Sequence, residues 1–253
     1  MRPYILAENN WKRVKDQKFD LAVLPWGATE AHNYHLPYAT DNYQVEAIAA
    51  EAGKRAWEAG AKVTILPVVP FGVNTGQPDI KLDMNLNPTT QLIILRDLIT
   101  VLNRQGIKKL LVLNGHGGNN FKPLLRELGL EFPETFLALC NWFQIGSHED
   151  FFDEPGNHAD EMETSLMLYL RPDLVTSLEE TGDGKEKKSV ITGIRDGWAW
   201  AERQWSMVTE DTGVGNPKKA TAEKGEAFFN FLTRKISELM TEIAKMDPDK
   251  RYQ

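Results

Sequence analysis

The feature that most constrains the fold is the alternation of short, nearly continuous apolar runs with longer segments that have apolar residues at helical spacing. Four runs have the length and composition of buried strands, at residues 19–25, 62–69, 108–113 and 135–143. Helical spacing follows or separates them, at residues 42–59, 89–105, 119–128, 159–170 and 220–246. Strands that are apolar on both faces and joined through helices predict an α/β fold with a mostly parallel sheet covered on both sides.

Length, charge and cysteine content narrow the class of protein further. The 253 residues suit one domain spanning residues 1–253. A net charge of −7 disfavours nucleic-acid binding, which needs a basic surface. The single cysteine, Cys140, excludes an intramolecular disulfide and a zinc site built on cysteine pairs. Because no apolar run approaches the roughly 20 residues of a membrane span and the first ten residues do not resemble a signal peptide, we expect a soluble cytoplasmic protein.

Three segments are not explained by the alternation of strands and helices: residues 71–88, 182–188 and 195–205. The first is long and rich in Gly, Asn and Pro, and long loops in compact domains are often functional. The second is a charged turn that we expect to be solvated. The third carries Trp198, Trp200 and Trp205, and aromatic side chains are favoured at interface cores. We predict that this loop lies at a subunit contact or over a pocket, with packing over the chain's own core as the alternative.

Acidic and imidazole side chains follow the first predicted strand. Glu30 and His32 are two residues apart, so in extended backbone both side chains point to one face. They follow the carboxyl end of the strand, the edge at which open parallel sheets bind ligands. Carboxylate and imidazole together suit zinc, manganese or iron. Asp41 could join them or could be an ordinary helix N-cap, and His35 could be a hydrogen-bonded loop histidine.

A glycine-rich turn with a histidine follows the third predicted strand. Its sequence, NGHGGNN at residues 114–120, places His116 at the same sheet edge as Glu30 and His32. The flanking glycines permit a positive φ and a close backbone approach. The turn could instead bind a phosphate at a helix N-terminus. An oxyanion hole of an α/β-hydrolase is a further alternative, but the chain has no G-x-S-x-G motif to accompany it.

The third polar group opens a later helix, with His158 at its start and Glu163 more than one turn later. The neighbours of Glu163 at helical spacing are all apolar: Ala159, Met167 and Leu170. A carboxylate on such a stripe is costly unless it is paired or binds a cation. Asp160 and Glu161 are explained by the helix dipole. The three groups together are sufficient for a hydrolytic site with two metal ions.

Four segments resemble, in order along the chain, the signatures of the creatininase (creatinine amidohydrolase) family. They are LPWGATEAHNYHLPYATD at residues 24–41, NGHGGN at 114–119, HADEMETS at 158–165, and the pair TGVGNP and ATAEKG at 212–217 and 220–225. The chain is therefore identified as a member of this family. The resemblance implies a three-layer α/β/α fold, a binuclear centre of divalent ions that are commonly zinc or manganese, and a homohexamer built as a trimer of dimers.

The resemblance also implies roles for individual residues. By motif, four residues would be metal ligands: Glu30, His32, Asp41 and His116. Asp41 would bridge the two ions, and His158 would lie beside the substrate as a proton shuttle. The predicted substrate-binding residues are those of the turn after His116, namely Gly117, Gly118 and Asn119.

Two departures from the family pattern affect the metal site and the substrate. Creatininase itself has a metal-binding Glu two residues after the histidine of the second signature, and this chain has Gly118. Another carboxylate must then complete the second metal site, and Glu163 is the predicted replacement. A tryptophan is expected shortly before His158, where this chain has Glu154 and Pro155. We therefore expect a substrate other than creatinine.

The leading functional hypothesis is a metal-dependent amidohydrolase that acts on a small polar substrate. Its target would be a small cyclic amide or another non-peptide C–N bond, attacked by a water that bridges the two ions. The family also supports ring opening of cyclic ketones, so a ring-opening hydrolase of a keto-sugar or keto-inositol is the first alternative. The second alternative is a metal-binding or small-molecule-binding protein whose catalysis has decayed. Retention of His158 and of the first-signature ligands argues against decay.

Overall fold

A four-stranded parallel sheet forms the centre of the computed structural model, which describes residues 1–252. Its strands are β1 (Leu21–Trp26), β2 (Val63–Ile65), β3 (Lys109–Asn114) and β4 (Phe136–Asn141), in the order β2-β1-β3-β4. Every neighbouring pair in this sheet is parallel. The predicted parallel sheet is thus confirmed.

Helices cover both faces of this sheet and complete three layers: α2 (Thr40–Glu58), α3 (Pro88–Arg104), α4 (Phe121–Glu131), α5 (Glu161–Leu170) and α8 (Ala222–Lys245). Three short helices lie in the connecting segments: α1 (Trp11–Val14), α6 (Thr192–Arg195) and α7 (Trp205–Val208). Alternate residues of β1 face different cores. Leu21 and Val23 pack with α2, α5 and α8, whereas Ala22 and Leu24 pack with α3 and α4. Two-sided burial explains why the strands are apolar throughout.

Some strand and helix boundaries in the structure differ from the predicted ones, for physical reasons. The second predicted strand, residues 62–69, ends as a regular strand at Ile65, because Pro67 has no amide hydrogen to donate. Its path continues beside β1, and the amide of Val69 donates to the carbonyl of Pro25 at 3.1 Å. Helix α4 begins at Phe121, which leaves Pro123 in the first turn as predicted.

A second, two-stranded sheet was not predicted. Strands β5 (Gly156–His158) and β6 (Val214–Gly215) pair antiparallel. His158 is therefore a strand residue, which corrects its predicted position at the start of a helix. Ala159 follows with φ of +50°, and Asp160 caps α5 through a hydrogen bond from the amide of Glu163. The sharp turn at Ala159 separates the strand from the helix.

Two of the three loops that the alternation does not explain are tied to the rest of the chain. Residues 71–88 pair with the loop after β1 through an isolated bridge between Thr29 and Met84. In the charged turn at 182–188, the side chain of Lys185 is exposed as expected, but Gly184 is buried and its amide donates to Asp211. That turn is therefore only partly solvated. No helix within residues 1–252 is both long enough and apolar enough to span a membrane.

Candidate metal centre

Six side chains meet at the carboxyl edge of the parallel sheet, and all are buried. They are Glu30, His32, Asp41, His116, His158 and Glu163. Asp41 is the second residue of α2, whose N-cap is Ala39, so its carboxylate does not serve as the N-cap considered from the sequence. The fold brings together every residue predicted as a metal ligand or proton shuttle.

His116 presents one ring nitrogen to two carboxylates. Its Nδ1 lies 2.9 Å from Oε1 of Glu30 and 3.0 Å from Oδ2 of Asp41. Its Nε2 donates to the carbonyl of Val73 at 3.0 Å, which fixes the ring and its tautomer. Because His116 faces two carboxylates, a phosphate-binding role for the turn at 114–120 is not supported. The arrangement is that of an imidazole ready to bind a cation.

His32 is oriented in the same way by the main chain. Its Nδ1 donates to the carbonyl of Glu30 at 3.0 Å. Its Nε2 lies 3.0 Å from Oδ1 of Asp41 and 3.9 Å from Oε2 of Glu163. Asp41 therefore directs one oxygen toward each of the two histidines, His32 and His116.

The ligand atoms fall into overlapping groups that could each hold a metal ion. One group is Glu30, Asp41 and His116, and a second is His32, Asp41 and Glu163. A third, Glu30, His32 and His158, shares two members with the others. Within each group the atoms lie within 4.8 Å of one another. Buried oxygen and nitrogen donors of this kind fit zinc or manganese.

Gly118 has a steric reason to lack a side chain. A Cβ built there would lie 2.3 Å from the carbonyl oxygen of Val73 and 2.5 Å from Nε2 of His116. The turn therefore cannot supply a carboxylate to the metal centre from this position. Glu163 reaches the same cluster from α5, where the amide of Ala159 donates to its Oε2. The side chain predicted as the replacement is thus in place.

Without a bound cation, the buried carboxylates and histidines of the cluster hold protons that offset their negative charge. Burial disfavours charged His32, but the Asp41 carboxylate outweighs it and raises the pKa of His32 to about 10. Burial raises the pKa of Glu163 to about 8. The pKa of His116 is well above its usual range, because Glu30 and Asp41 outweigh burial. A cation would therefore take the place of protons that these groups otherwise hold.

His158 differs from the other two histidines of the cluster. Burial, reinforced by the neighbouring His32, lowers the pKa of His158 to about 4. Its Nε2 donates to the carbonyl of Ala31 at 2.8 Å, and its Nδ1 lies 3.7 Å from Oε1 of Glu30. The imidazole is therefore neutral, with a free nitrogen directed toward the cluster. It could accept a proton, and membership of the third group makes a ligand role the alternative.

His35 lies outside the cluster. Its Nε2 shares a 2.8 Å hydrogen bond with the hydroxyl of Thr164, and burial lowers its pKa to about 4. His35 is therefore a hydrogen-bonded loop histidine, as considered from the sequence. His35 therefore fixes the first-signature loop against α5.

A cavity of about 410 Å³ opens over the cluster. Gly117 and Gly118 line it, as predicted for substrate-binding residues, but Asn119 does not. The Oδ1 of Asn119 accepts hydrogen bonds from the amide of Val73 and from Gln91, so its side chain holds the turn in place. Trp205 lines the cavity, which puts one end of the tryptophan loop over the pocket.

Three contacts near the site were not found from the sequence. Gln77 donates to Oε2 of Glu30 at 2.7 Å and leaves Oε1 for the cluster. The Trp205 and His158 rings are perpendicular to each other, with their centroids 5.3 Å apart. Gln77 lies in the loop singled out at 71–88, but an uncharged amide gave no signal there.

Glu161 is the third residue whose role the sequence did not indicate. The helix dipole accounted for it in the sequence, yet its side chain is fully buried. Its carboxylate accepts the amides of Asp153 and Glu154 and forms an ion pair with Lys224 of α8. It therefore ties the segment before β5 to α5 and α8, which helps to place His158.

The chain is similar over most of its length to known proteins. The family described as Creatinine amidohydrolase matches residues 7–240. A mycofactocin precursor peptide peptidase from Mycobacterium ulcerans is 24% identical over 236 residues, covering 89% of this chain and 85% of that protein. The family match extends over most of the chain, and its bounds include every residue of the cluster.

Solved structures agree with the sequence match. A Bacteroides fragilis protein provisionally described as a creatinine amidohydrolase is 42% identical, with a TM-score of 0.93 and full coverage of both chains. A creatininase mutant of the Zn-Zn type is 22% identical with a TM-score of 0.77, covering 97% of this chain and 100% of the other. A manganese creatininase is also 22% identical, with a TM-score of 0.74, and the match covers 96% of this chain and 99% of the other.

Proposed function

The chain belongs to the creatininase family of hydrolases, and from this premise we propose that it hydrolyses a small cyclic amide or another non-peptide C–N bond with two divalent metal ions. The observation that carries the proposal is the position of Asp41, which is shared by two groups of potential ligands. A carboxylate with one oxygen toward each group is suited to bridging two ions. Zinc and manganese are the proposed ions, since structures of other creatininases are described with each of them.

The proposed ligands divide between the two ions according to the groups that contain them. Glu30 and His116 would hold one ion, His32 and Glu163 the other, with Asp41 common to both. When bound, such ions polarise a carbonyl and lower the pKa of a bound water from ~15.7 toward ~7. Gln77 would keep Glu30 in the orientation that this binding requires, because it occupies the second oxygen of that carboxylate.

His158 is the proposed proton shuttle. Its neutral ring and its free Nδ1 allow it to take a proton from the attacking water and deliver it to the leaving nitrogen. The hydrogen bond from Nε2 to Ala31 fixes which nitrogen is available. Trp205 packs edge-on against the ring and limits its movement. The cavity volume of about 410 Å³ is that of a small-molecule site, which supports a small substrate.

The experiment that tests this function is metal analysis combined with a substrate screen. Protein stripped with a chelator and reloaded with zinc or manganese would be tested on lactams, formamides, cyclic ketones and short peptides. We expect about two ions per chain and turnover of an amide that is lost in the stripped protein. Turnover of the ketones alone would instead support the ring-opening alternative. Full metal content without any turnover would support a protein whose catalysis has decayed.

A further inference from the structure

We propose that Arg203 binds a carboxylate group of the substrate at the mouth of the cavity, so that this hydrolase acts on an amide that also carries a free carboxylate. The inference rests on the proposed function, because it names the class of molecule presented to the metal centre. Arg203 lines the same cavity as Glu30 and His158, and no other Lys or Arg is among its lining residues. A single permanent cation therefore stands at the entrance to the cluster.

Trp205 holds Arg203 in place. The guanidinium carbon lies 4.4 Å from the centroid of the Trp205 ring, within the range of a cation–π contact. The buried indole donates from Nε1 to the carbonyl of Thr212 at 3.0 Å. The indole is also perpendicular to the His158 ring, with the ring centroids 5.3 Å apart, so Trp205 contacts both Arg203 and the proposed proton shuttle. An anion bound by Arg203 would thus be close to the reacting part of the molecule.

The main chain of Arg203 is fixed by a close contact with the opposite loop. A Cβ on Gly76 would lie 2.1 Å from the carbonyl oxygen of Arg203, so the two segments touch through backbone. The amide of Trp205 donates to the carbonyl of Gly76 at 2.8 Å. Glu202, the acidic neighbour at the mouth, accepts the hydroxyl of Thr75 at 3.0 Å and is held against that loop.

The guanidinium of Arg203 is only loosely paired with another side chain and is accessible to a ligand. Within residues 1–252 the guanidinium makes an ion pair with Glu186 at 3.6 Å, longer than a good hydrogen bond, and its side chain is 46% exposed. Glu186 is also paired with Lys188 at 2.8 Å. If Arg203 turned toward a substrate, Glu186 would therefore keep a partner. Movement of Arg203 away from Glu186 thus leaves Glu186 paired with Lys188.

A carboxylate is the anion that this single arginine fits best. The planar guanidinium offers two parallel N–H groups, which match the two oxygens of a carboxylate. The carboxylate could belong to a small cyclic amide or to the C-terminus of a short peptide, and the chemistry of recognition is the same. A cyclic amide acid and a short peptide with a free C-terminus, each compared with its amide form, separate the two sources.

Binding of dicarboxylates to the metal-loaded protein tests Arg203 without requiring turnover. A series from succinate to pimelate would be compared by calorimetry with the matching monoamides, which replace one carboxylate with a neutral group. The wild type should bind the best dicarboxylate about 10- to 100-fold more tightly than its monoamide, the usual strength of a hydrogen bond to a charged group. Arg203→Met should abolish this preference while metal content and melting temperature stay unchanged.

Two further variants sharpen the test. Arg195→Met is the matched control, because Arg195 lies in the same segment but pairs with Asp196 and does not line the cavity. It should keep the full preference for the dicarboxylate. Glu186→Gln removes the competing carboxylate and should preserve or increase that preference. The same preference in wild type and Arg203→Met, for every chain length, would overturn the proposal.

Turnover distinguishes the source of the carboxylate and separates this proposal from the proposed function. Pyroglutamate would be compared with its primary amide, and short peptides with free C-termini with their amidated forms. A higher kcat/KM for the free acid of one pair, lost in Arg203→Met, would identify the source. If neither member of either pair is hydrolysed, the function is in doubt but the binding series still decides the role of Arg203. Equal hydrolysis of acid and amide forms would overturn the role of Arg203 and leave the function standing.

Discussion

Asp41 is the residue on which the arrangement of the cluster depends most. It belongs to both groups of proposed ligands, whereas Glu163 belongs to one. We therefore expect Asp41→Ala to lose both metal ions and Glu163→Gln to weaken one ion more than the other. Metal content by mass spectrometry, measured after dialysis against limiting zinc, would show the difference. Full occupancy in Asp41→Ala would exclude a bridging role.

His158 should affect chemistry more than metal binding. His158→Ala removes the neutral imidazole with its free Nδ1, and we expect kcat to fall by ~10²–10⁴-fold, the usual contribution of a positioned proton shuttle. KM should change little if the residue acts mainly in the transition state. Metal content and kcat would be measured on one preparation. Loss of metal would make His158 a ligand, as its membership of the third group allows.

Metal binding should release protons. The carboxylates of the cluster raise the pKa of His32 to about 10, and burial raises that of Glu163 to about 8, so both hold protons near pH 7 that an ion must displace. The apparent metal affinity should therefore rise as the pH rises from 6 toward 8 at constant free metal. Calorimetry in buffers of different ionisation enthalpy would count the protons. An affinity that does not depend on pH would mean that the ligands are already deprotonated.

The sequence indicated individual site residues where an atypical polar side chain interrupted an apolar pattern. Glu163 was found in this way, since a carboxylate on an apolar helical stripe needs a partner. Gln77 gave no such signal, because a neutral amide in a loop has many ordinary explanations. Its role depends on a contact with Glu30 across 47 residues of chain, which no local pattern records.

Among the secondary-structure elements, α5 and α8 are joined by an ion pair between the buried carboxylate of Glu161 and the partly exposed Lys224, and Glu161 also positions the segment before β5. Lys224→Met would leave the carboxylate of Glu161 buried without its cation, and we expect a loss of about 3 kcal/mol in the free energy of unfolding. The measurement is chemical denaturation of the metal-loaded protein. Lys219→Met is the matched control, since its pair with Glu154 is exposed to solvent and should contribute little to stability. Similar losses in both variants would show that burial of Glu161 does not matter.

The long elements were predictable and the short ones were not. Each parallel strand is apolar on two faces, and each long helix repeats its apolar residues, so local pattern alone reveals them. Strands β5 and β6 have three and two residues and include Gly156 and Gly215. Their pairing joins segments far apart in the chain and depends on the packing of the whole molecule. The position of His158 on a strand could not be inferred for that reason.

At the scale of the whole molecule, the exposed tryptophans support the proposed oligomer. Trp198 is 77% exposed and Trp200 is 82% exposed, while Trp205 is buried over the cavity. Large aromatic side chains left exposed in one chain are typical of a surface that another chain covers. We predict a homo-oligomer, with a hexamer as the expected size. Sedimentation at micromolar concentration should show it, and Trp198→Ser with Trp200→Ser should shift the distribution toward smaller species. A monomeric wild type would contradict the prediction.

The backbone contacts around Gly118 have a consequence for how this branch of the family can change over time. Because any side chain there would collide with the carbonyl of Val73, a lineage with glycine cannot acquire the glutamate of creatininase by a single substitution. The loop that carries Val73 would have to move first, and that loop also anchors the ring of His116. While the loop contacts the turn in this way, Glu163 is the carboxylate that would hold the proposed second ion. Exchange of one carboxylate for the other would therefore require coordinated changes at several positions.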